Sequence, residues 1–180
     1  MRISVVGPPG SGKTTQAKML ARKLFLSYVS ISELIKKAGV KDIKLGRQVR
    51  LTLEEGKLVD DDLILKLFLK RVGRKDCQRG FVVDGAPRTH YQVRKIEERL
   101  PFDKVIFVKT PFNVAKERLL RRGRADDTGE AIMRRFQLYK ESSHLVLEFY
   151  RKGGKLIEVD GDRPLEKTAA EILERIGYKG

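Results

Sequence analysis

The sequence predicts an α/β fold of three layers, in which helices cover both faces of a five-stranded parallel sheet. Five short runs rich in β-branched residues recur along the chain, and segments with helical spacing separate them. These runs are almost continuously apolar, which suits strands that are buried on both faces, as in parallel sheets. The predicted strands are RISVV (2–6), YVSI (28–31), FVVD (81–84), KVIFVK (104–109) and KLIEV (155–159).

Turn and cap signals place helices between these strands. Residues 32–60 have helical patterns without a strand, which predicts a small helical insertion, and a further helix is expected from about Asp62. Thr110 and Pro111 have the residue types of an N-cap and a first helical position. The helix that they begin is expected to end before Gly123, since glycine favours helix C-termini.

Residues 118–135 hold six arginines around the turn that follows. Asp127 and Glu130 have the spacing of a capping box, which predicts a long helix that ends at Gly153-Gly154. The arginines therefore lie at a tight turn between two helices. Composition alone leaves three interpretations open: an arm that binds nucleic acid, a solvated charge run, or arginines that bind one small anionic substrate.

Composition restricts the class of protein. The chain has 180 residues and 41% hydrophobic residues, which predicts a single domain over residues 1–180. Its net charge of +15 favours phosphate-bearing partners, whether polymers or mononucleotides. The one cysteine, Cys77, excludes an internal disulfide and a Cys-rich zinc site. No signal peptide or membrane-length segment is seen, so we expect a cytoplasmic protein with no membrane partner.

The stretch GPPGSGKT, residues 7–14, directly follows the first predicted strand. It matches the phosphate-binding loop motif G-x-x-x-x-G-K-[ST]. The glycines let backbone N–H groups turn towards phosphate oxygens, Lys13 reaches the β- and γ-phosphates, and Thr14 can bind Mg²⁺. This motif predicts binding of a nucleoside triphosphate.

A second motif, DGAPR, begins where the third predicted strand ends. Asp84 occupies the position where P-loop proteins keep an acid for Mg²⁺ or its waters. Gly85 allows a ligand to approach closely, and Pro87 restricts the turn that presents Arg88. The guanidinium of Arg88 can bridge phosphates with two parallel hydrogen bonds.

Several motifs together resemble one family. GPPGSGKTTQ, GKLVDDDL, CQRGFVVDGAPRTHYQ, RRGRADD and a later RRF are similar, in that order, to the landmarks of adenylate kinases and related nucleoside monophosphate kinases. The resemblance implies a P-loop NTPase fold with a core of residues 1–29 and 60–180. It also implies a monophosphate-binding insertion at about 30–59 and a short lid at about 122–128.

The resemblance further implies a reaction and its participants. The family transfers the γ-phosphoryl group of ATP, with Mg²⁺, to a nucleoside monophosphate, for which AMP is the expected acceptor. Arginines that spread positive charge over the transferring group are its implied catalytic residues. The lid is too short for the zinc cluster of long relatives, so no structural zinc is expected. The implied catalytic residues are Lys13, Arg88, Arg122, Arg124 and Arg135.

The donor and acceptor residues follow by position from the same resemblance. Arg118 is implied to stack on the donor base, backbone near Arg163 to contact its edge, and Gln92 to read the acceptor base. Thr14 and Asp84 are the implied magnesium residues. The implied ATP-binding residues are Gly10, Ser11, Gly12, Lys13, Thr14, Thr15, Arg118, Arg122 and Arg163. The implied AMP-binding residues are Ile31, Lys36, Lys57, Leu58, Val59, Gly85, Arg88, Gln92, Arg124 and Arg135.

The chain departs from the family pattern on the acceptor side. Ile31 replaces a threonine, which removes a hydrogen bond, and Lys36 replaces an arginine, which removes a bidentate phosphate contact. Ala86 replaces an aromatic residue. These departures leave open relaxed base selectivity or a UMP/CMP-type kinase. A nucleic-acid-associated P-loop ATPase is a further alternative, although no aromatic residues are interleaved with the arginines, so we expect no nucleic-acid partner.

Overall fold

The structure is a computed structural model that describes residues 1–54, 59–124 and 127–178. Its centre is a sheet of five parallel strands in the order β2-β3-β1-β4-β5. This confirms the predicted fold class and the five predicted strands, with one-residue shifts in β2 and β5. The strands are β1 (Arg2–Val6), β2 (Ser27–Ser30), β3 (Phe81–Asp84), β4 (Lys104–Lys109) and β5 (Leu156–Asp160).

Helices follow the strands as the sequence pattern indicates. The helix at about Asp62 begins one residue earlier, at Asp61, where the Asp60 carboxylate accepts a hydrogen bond from the Leu63 N–H at 2.9 Å. A 3₁₀ helix covers Lys75–Cys77. The helices are α1 (Lys13–Lys23), α2 (Ile31–Lys41), α3 (Ile43–Glu54), α4 (Asp61–Val72), α5 (His90–Arg99), α6 (Phe112–Arg122), α7 (Gly129–Lys152) and α8 (Leu165–Arg175).

Side chains alternate between the two faces of the sheet, because successive residues of a strand point to opposite sides. Val5 and Val82 pack with residues of α1 and α8, whereas Val83 and Val105 pack with α4, α5 and α7 on the opposite face. The second cluster includes a group of rings, Phe68, Phe81, Phe102 and Tyr150, whose centroids are 5.8–6.4 Å apart. The sheet is therefore covered on both faces, as the apolar strands predict.

Two predicted N-caps are wrong. The helix after β4 begins at Phe112 with Pro111 as its N-cap, and the Thr110 hydroxyl instead donates to the Ser11 carbonyl at 3.4 Å. The long helix is capped by Thr128, whose hydroxyl accepts from the Ala131 N–H, and not by Asp127. In both cases, a tertiary partner competes with the local helix end for the polar side chain.

The strand order places the candidate site. β1 lies between β3 and β4, and the chain builds one half of the sheet on each side of it. In open parallel sheets, this switch point leaves a crevice at the carboxyl ends of the strands, where ligands bind. Gly7, Asp84 and Thr110 follow or end these three strands. The two sequence motifs and the start of α6 therefore lie at one edge of the sheet.

Candidate active site

The P-loop joins β1 to α1 at this edge. Gly10 and Gly12 have φ angles of 81° and 85°, in the left-handed region that favours glycine. A Cβ atom on Gly10 would overlap the Ala115 carbonyl of α6, so the loop lies directly on that helix. The Ser11 N–H donates to the Pro8 carbonyl at 3.1 Å. The glycines therefore serve both the turn and its close contact with α6.

Lys13 is the first residue of α1 and lies within the loop. Its Nζ donates to the Pro8 carbonyl at 3.2 Å. Burial lowers the pKa of Lys13 from 10.5 to about 8, and the nearby carboxylate of Asp84 opposes this shift. Positive charges lower the same pKa further. The three side chains that supply them are Arg88, Arg122 and Arg135.

These four cations form what we call the cationic cluster: Lys13, Arg88, Arg122 and Arg135. Like charges this close repel one another, which is unfavourable unless an anion lies between them. All four come from separate elements, namely α1, the β3–α5 loop, α6 and α7. The cluster therefore fits a compact polyanion better than an extended surface.

Arg88 is held at the cluster by the loop that follows β3. Its Nε donates to the Gly85 carbonyl at 2.8 Å, and a Cβ on Gly85 would lie 3.0 Å from its guanidinium. Burial lowers the pKa of Arg88, and Asp84 raises it. The Ala86 carbonyl accepts from the Ser4 hydroxyl at 2.6 Å, and the Ala86–Pro87 peptide bond is cis. These contacts fix the position of Arg88 beside β1 and β3.

Asp84 ends β3 and contacts two hydroxyl groups. Its Oδ2 accepts from the Thr14 hydroxyl at 2.7 Å and from the Tyr28 hydroxyl at 3.2 Å. Its Oδ1 is buried and has no hydrogen-bond partner among the residues that the structure describes. A buried carboxylate oxygen without a donor is unfavourable unless a cation or water binds it.

Asp127 joins two arginines of the cluster at the turn between α6 and α7. Its carboxylate accepts from Arg122 Nε and Nη2 at 2.8 and 2.7 Å and from Arg135 Nη2 at 2.8 Å. Burial alone would raise the pKa of Asp127, but hydrogen bonds from these two guanidinium groups lower it to about 2. Its side chain is 1% exposed. Asp127 therefore orients the arginines, although it caps no helix.

The remaining arginines of residues 118–135 divide between the site and the surface. The backbone N–H of Arg124 donates to Asp127 at 3.4 Å, and its side chain is exposed. Arg121 pairs with Glu117 and Arg134 with Glu130, each along its own helix, with side chains 75% and 51% exposed. Asp126 lies outside the described residues.

Arg118 of α6 contacts the loop that follows β5. Its Nη1 donates to the Gly161 carbonyl at 2.7 Å, which ties α6 to the loop after β5. The same loop is held from α1, where Gln16 Nε2 donates to the Leu165 carbonyl at 3.0 Å. Arg163 is exposed and pairs with Glu171 at 2.8 Å. Arg118 and the backbone near Arg163 are thus brought together, whereas Arg118 and Arg122 bind different partners.

The residues implied to bind the acceptor differ from one another in burial and in hydrogen bonding. Ile31 and Val59 are 1% and 7% exposed and belong to the hydrophobic core, whereas Lys36 is exposed on α2. Lys57 and Leu58 lie outside the described residues. Gln92 is buried, and both ends of its amide are bonded within the protein: Oε1 accepts from the Arg88 N–H at 2.8 Å, and Nε2 donates to Asp61 at 2.7 Å.

Sequence reasoning missed two side chains that contact predicted site residues. Tyr28 reaches Asp84 from β2, and Asp61 reaches Gln92 from α4. Tyr28 lies within a predicted strand, and Asp61 lies within GKLVDDDL, one of the family landmarks. Neither carried a signal beyond that position, because the two contacts join residues 56 and 31 positions apart through the packing of the sheet and the helices.

The adenylate kinase family model matches residues 5–155 of the chain. This range includes the P-loop, Asp84, Arg88 and the lid. The chain belongs to the adenylate kinase family. An adenylate kinase of Stenotrophomonas maltophilia is 35% identical over 98% of this chain and 99% of its own length. Adenylate kinase 1 of a Synechocystis species is 38% identical over 93% of this chain and 92% of its own length.

Family membership agrees with the ordered motifs and with the short lid. An adenylate kinase of a Cyanothece species is 36% identical over 95% of this chain, so the similarity extends well beyond the P-loop. In residues 1–54, 59–124 and 127–178, no group of three or more His, Cys, Asp or Glu side chains is placed to hold a metal ion. No helix in the same ranges is long and apolar enough to cross a membrane.

Proposed function

We propose that this protein is an adenylate kinase, which transfers the γ-phosphoryl group of ATP reversibly to AMP and gives two ADP. The observation that carries the proposal is the cationic cluster, whose four charges meet at the end of a P-loop beside Asp84. The adenylate kinase names of the relatives support AMP as acceptor. They disfavour a UMP/CMP-type kinase and a nucleic-acid-associated ATPase.

The reaction needs positioning and charge more than covalent chemistry. The bond between the γ-phosphorus and the β-phosphate oxygen breaks, and a bond to an α-phosphate oxygen of AMP forms in line with it. Negative charge spreads over the transferring group during this step. Lys13 from the donor side and Arg88 from the acceptor side would flank that group, and Arg122 and Arg135 would close over it.

Thr14 and Asp84 are the residues that would hold Mg²⁺, directly or through water. The free Oδ1 of Asp84 and the adjacent Thr14 hydroxyl are oxygen donors, which Mg²⁺ prefers. When bound, Mg²⁺ would neutralise charge on the β- and γ-phosphates. The donor set fits this ion, since neither thiol nor imidazole belongs to it.

We also propose a division of the chain into a core and two smaller parts. Residues 30–59, which include α2 and α3, would carry the monophosphate, and residues 122–128 would act as the lid. Arg118 and the backbone near Arg163 would hold the donor base. Gly85, Gln92 and Arg124 would contact the acceptor. A cytoplasmic location stays a prediction from the sequence.

The proposal is tested by assaying Mg²⁺-ATP with AMP, GMP, CMP, UMP and their deoxy forms. We expect AMP to be the preferred acceptor. Lys13→Ala, Arg88→Ala and Arg135→Ala should each lower turnover by about 100-fold or more while the fold is retained. Arg121→Ala, on the exposed side of α6, is the matched control and should retain activity. Failure to phosphorylate any monophosphate would reject the proposal.

ATP hydrolysis that RNA or DNA stimulates, without transfer to a monophosphate, would favour the nucleic-acid-associated ATPase instead. Near-normal turnover in all three variants would reject the roles assigned to the cationic cluster, even if the wild-type protein phosphorylates AMP.

A further inference from the structure

We infer that Asp61 is a positioning residue that sets which bases the acceptor site takes, because it fixes the orientation of the Gln92 amide. This inference rests on the proposed function, in which Gln92 contacts the acceptor base. The acceptor class that it selects has an amino group next to a ring-nitrogen acceptor, as in adenine, and excludes bases with a carbonyl next to a ring N–H, as in guanine and hypoxanthine.

The observation is a set of hydrogen bonds between the first turns of α4 and α5. Asp61 Oδ1 accepts from Gln92 Nε2 at 2.7 Å, and its Oδ2 accepts from the Thr89 hydroxyl at 2.6 Å. Gln92 Oε1 accepts from the Arg88 N–H at 2.8 Å. Gln92 is 1% exposed. The amide is therefore held from both ends within the protein.

These partners leave only one orientation of the amide. A carboxylate only accepts hydrogen bonds, and a backbone N–H only donates. If the Gln92 amide were rotated by 180°, its oxygen would face the Asp61 carboxylate and its NH₂ group would face the Arg88 N–H. Both contacts would be repulsive. The order of donor and acceptor on Gln92 is thus set by its neighbours.

A fixed amide recognises one of two base patterns. Each end keeps one further site, since Nε2 has a second hydrogen and Oε1 a second lone pair. The oxygen can accept from an exocyclic amino group while the nitrogen donates to a ring nitrogen, which suits adenine. Guanine and hypoxanthine present the reverse order. An amide that rotates freely reads both patterns, whereas one held by Asp61 rejects the reverse order.

The test compares AMP with IMP as acceptors for wild-type protein and Asp61→Asn. We expect Asp61→Asn to lower the ratio of kcat/KM for AMP to that for IMP by about 10-fold or more. The reason is that the carboxylate that accepts from Gln92 Nε2 is replaced by an amide, which can either accept or donate. The KM for ATP should stay unchanged. Asp62→Asn is the matched control: Asp62 carries the same charge one residue along, but it is exposed and accepts from the Tyr91 hydroxyl. It should keep the wild-type ratio.

A double variant shows separately what the hydrogen bond between these two side chains does for stability and what the Gln92 amide does for base selection. In Asp61→Asn with Gln92→Glu, the new asparagine can donate to the new carboxylate, which still accepts from the Arg88 N–H. Thermal stability should therefore recover, but the AMP preference should not, since a carboxylate has no hydrogen to donate to the base. If Asp61→Asn alone does not fold, Asp61→Ser carries the test: it leaves Gln92 intact, and its hydroxyl can donate or accept, so the same fall in the AMP-to-IMP ratio is expected.

An unchanged AMP-to-IMP ratio in Asp61→Asn, or an equal fall in Asp62→Asn, would overturn the inference. Recovery of the AMP preference in the double variant would overturn it as well. Wild-type protein serves as the reference for the reaction itself. If it phosphorylates no AMP, the proposed function fails; if it does so and Asp61→Asn keeps the ratio, only this inference fails.

Discussion

Lys13 has a charge that depends on whether phosphate is bound. Burial and three nearby arginines lower its pKa to about 8, so that at slightly alkaline pH a fraction of the molecules carries a neutral lysine. Bound phosphate would favour the charged form and raise that pKa. Lys13, which we propose contacts the transferring group, would therefore also report its presence.

We predict that ATP binding at pH 8 is accompanied by uptake of up to about half a proton by Lys13, and that affinity falls as the pH rises above 8. Titration calorimetry in two buffers of different ionisation enthalpy measures this uptake. Lys13→Arg is the control, because arginine keeps its charge throughout this range. The same buffer dependence in both proteins would contradict the assignment.

Tyr28 of β2 contacts Asp84, one of the two residues proposed to hold Mg²⁺. Burial and the charge of Asp84 raise the pKa of its hydroxyl, which therefore stays a donor to Asp84. We predict that Tyr28→Phe raises the Mg²⁺ concentration needed for half-maximal activity by about 10-fold. Tyr91→Phe, which removes a hydroxyl that donates to exposed Asp62, is the control. An equal Mg²⁺ requirement in the two variants would argue against a role for Tyr28.

Among the helices, the contact between α6 and α7 depends on one buried carboxylate. Asp127 holds α6 and α7 together through Arg122 and Arg135, which would otherwise repel each other. Its folded pKa of about 2 lies below the ordinary value of 3.8. Ionised Asp127 therefore contributes stability that is fully present above about pH 4 and is lost as the pH falls towards 2.

We predict that Asp127→Asn is less stable than wild-type protein at pH 7, and that this difference shrinks between pH 4 and pH 2. Denaturant unfolding at a series of pH values measures the free energy of unfolding of both proteins. Asp162→Asn is the control, because Asp162 is exposed and pairs with Arg118 at 3.4 Å, so its loss should be small. A difference for Asp127→Asn that does not change with pH would contradict the proposed ion pairs.

The crossing of α2 and α3 depends on two glycines. A Cβ on Gly46 would overlap the Gly39 carbonyl, and one on Gly39 would lie 2.9 Å from the Gly46 Cα. We predict that Gly46→Ala forces these helices apart, costs about 1–3 kcal/mol of stability and raises the KM for AMP but not for ATP. Thermal unfolding and steady-state kinetics measure the two effects.

Gly129 supplies the matched control for this substitution. It is the first residue of α7, and nothing lies within 4 Å of the position that a Cβ would take. Gly129→Ala should therefore leave stability and both KM values almost unchanged. Equal effects of the two substitutions would show that the α2–α3 contact does not matter to the acceptor site.

In the molecule as a whole, local sequence patterns predicted the strands and the P-loop that position the site. The apolar runs located the strands, and the P-loop motif located Lys13, because both depend on residues close together in sequence. Polar residues at helix ends were harder to interpret. Thr110 and Asp127 have residue types typical of helix caps, yet Thr110 donates to the Ser11 carbonyl and Asp127 accepts from Arg122 of α6.

Contacts between distant segments were not predictable from the same patterns. The parallel register of β2 and β3 sets Ser30 beside Asp84, and only this alignment brings the Tyr28 hydroxyl within reach of the carboxylate. The bond between Asp61 and Gln92 likewise needs the packing of α4 on α5. Register and helix packing are properties of the complete fold, so a single segment carries no sign of them.

The net charge of +15 acquires a more specific meaning from this arrangement. Part of it is gathered in the cationic cluster, while Arg121 and Arg134 pair with glutamates on exposed helix faces. A nucleotide kinase and a nucleic-acid-associated ATPase would both be basic and would both bind ATP. They differ in the acceptor of the γ-phosphoryl group: a kinase transfers it to a nucleoside monophosphate, whereas an ATPase transfers it to water and releases inorganic phosphate.

The reverse reaction tests this difference most directly. The protein is incubated with Mg²⁺ and ADP alone, and ³¹P NMR follows the products. We expect ATP and AMP to appear in equal amounts without release of inorganic phosphate. In Lys13→Ala, the formation of ATP and AMP should be slower by about 100-fold or more. Release of phosphate, or no formation of ATP from ADP, would contradict the proposal that the protein transfers phosphoryl groups between adenine nucleotides.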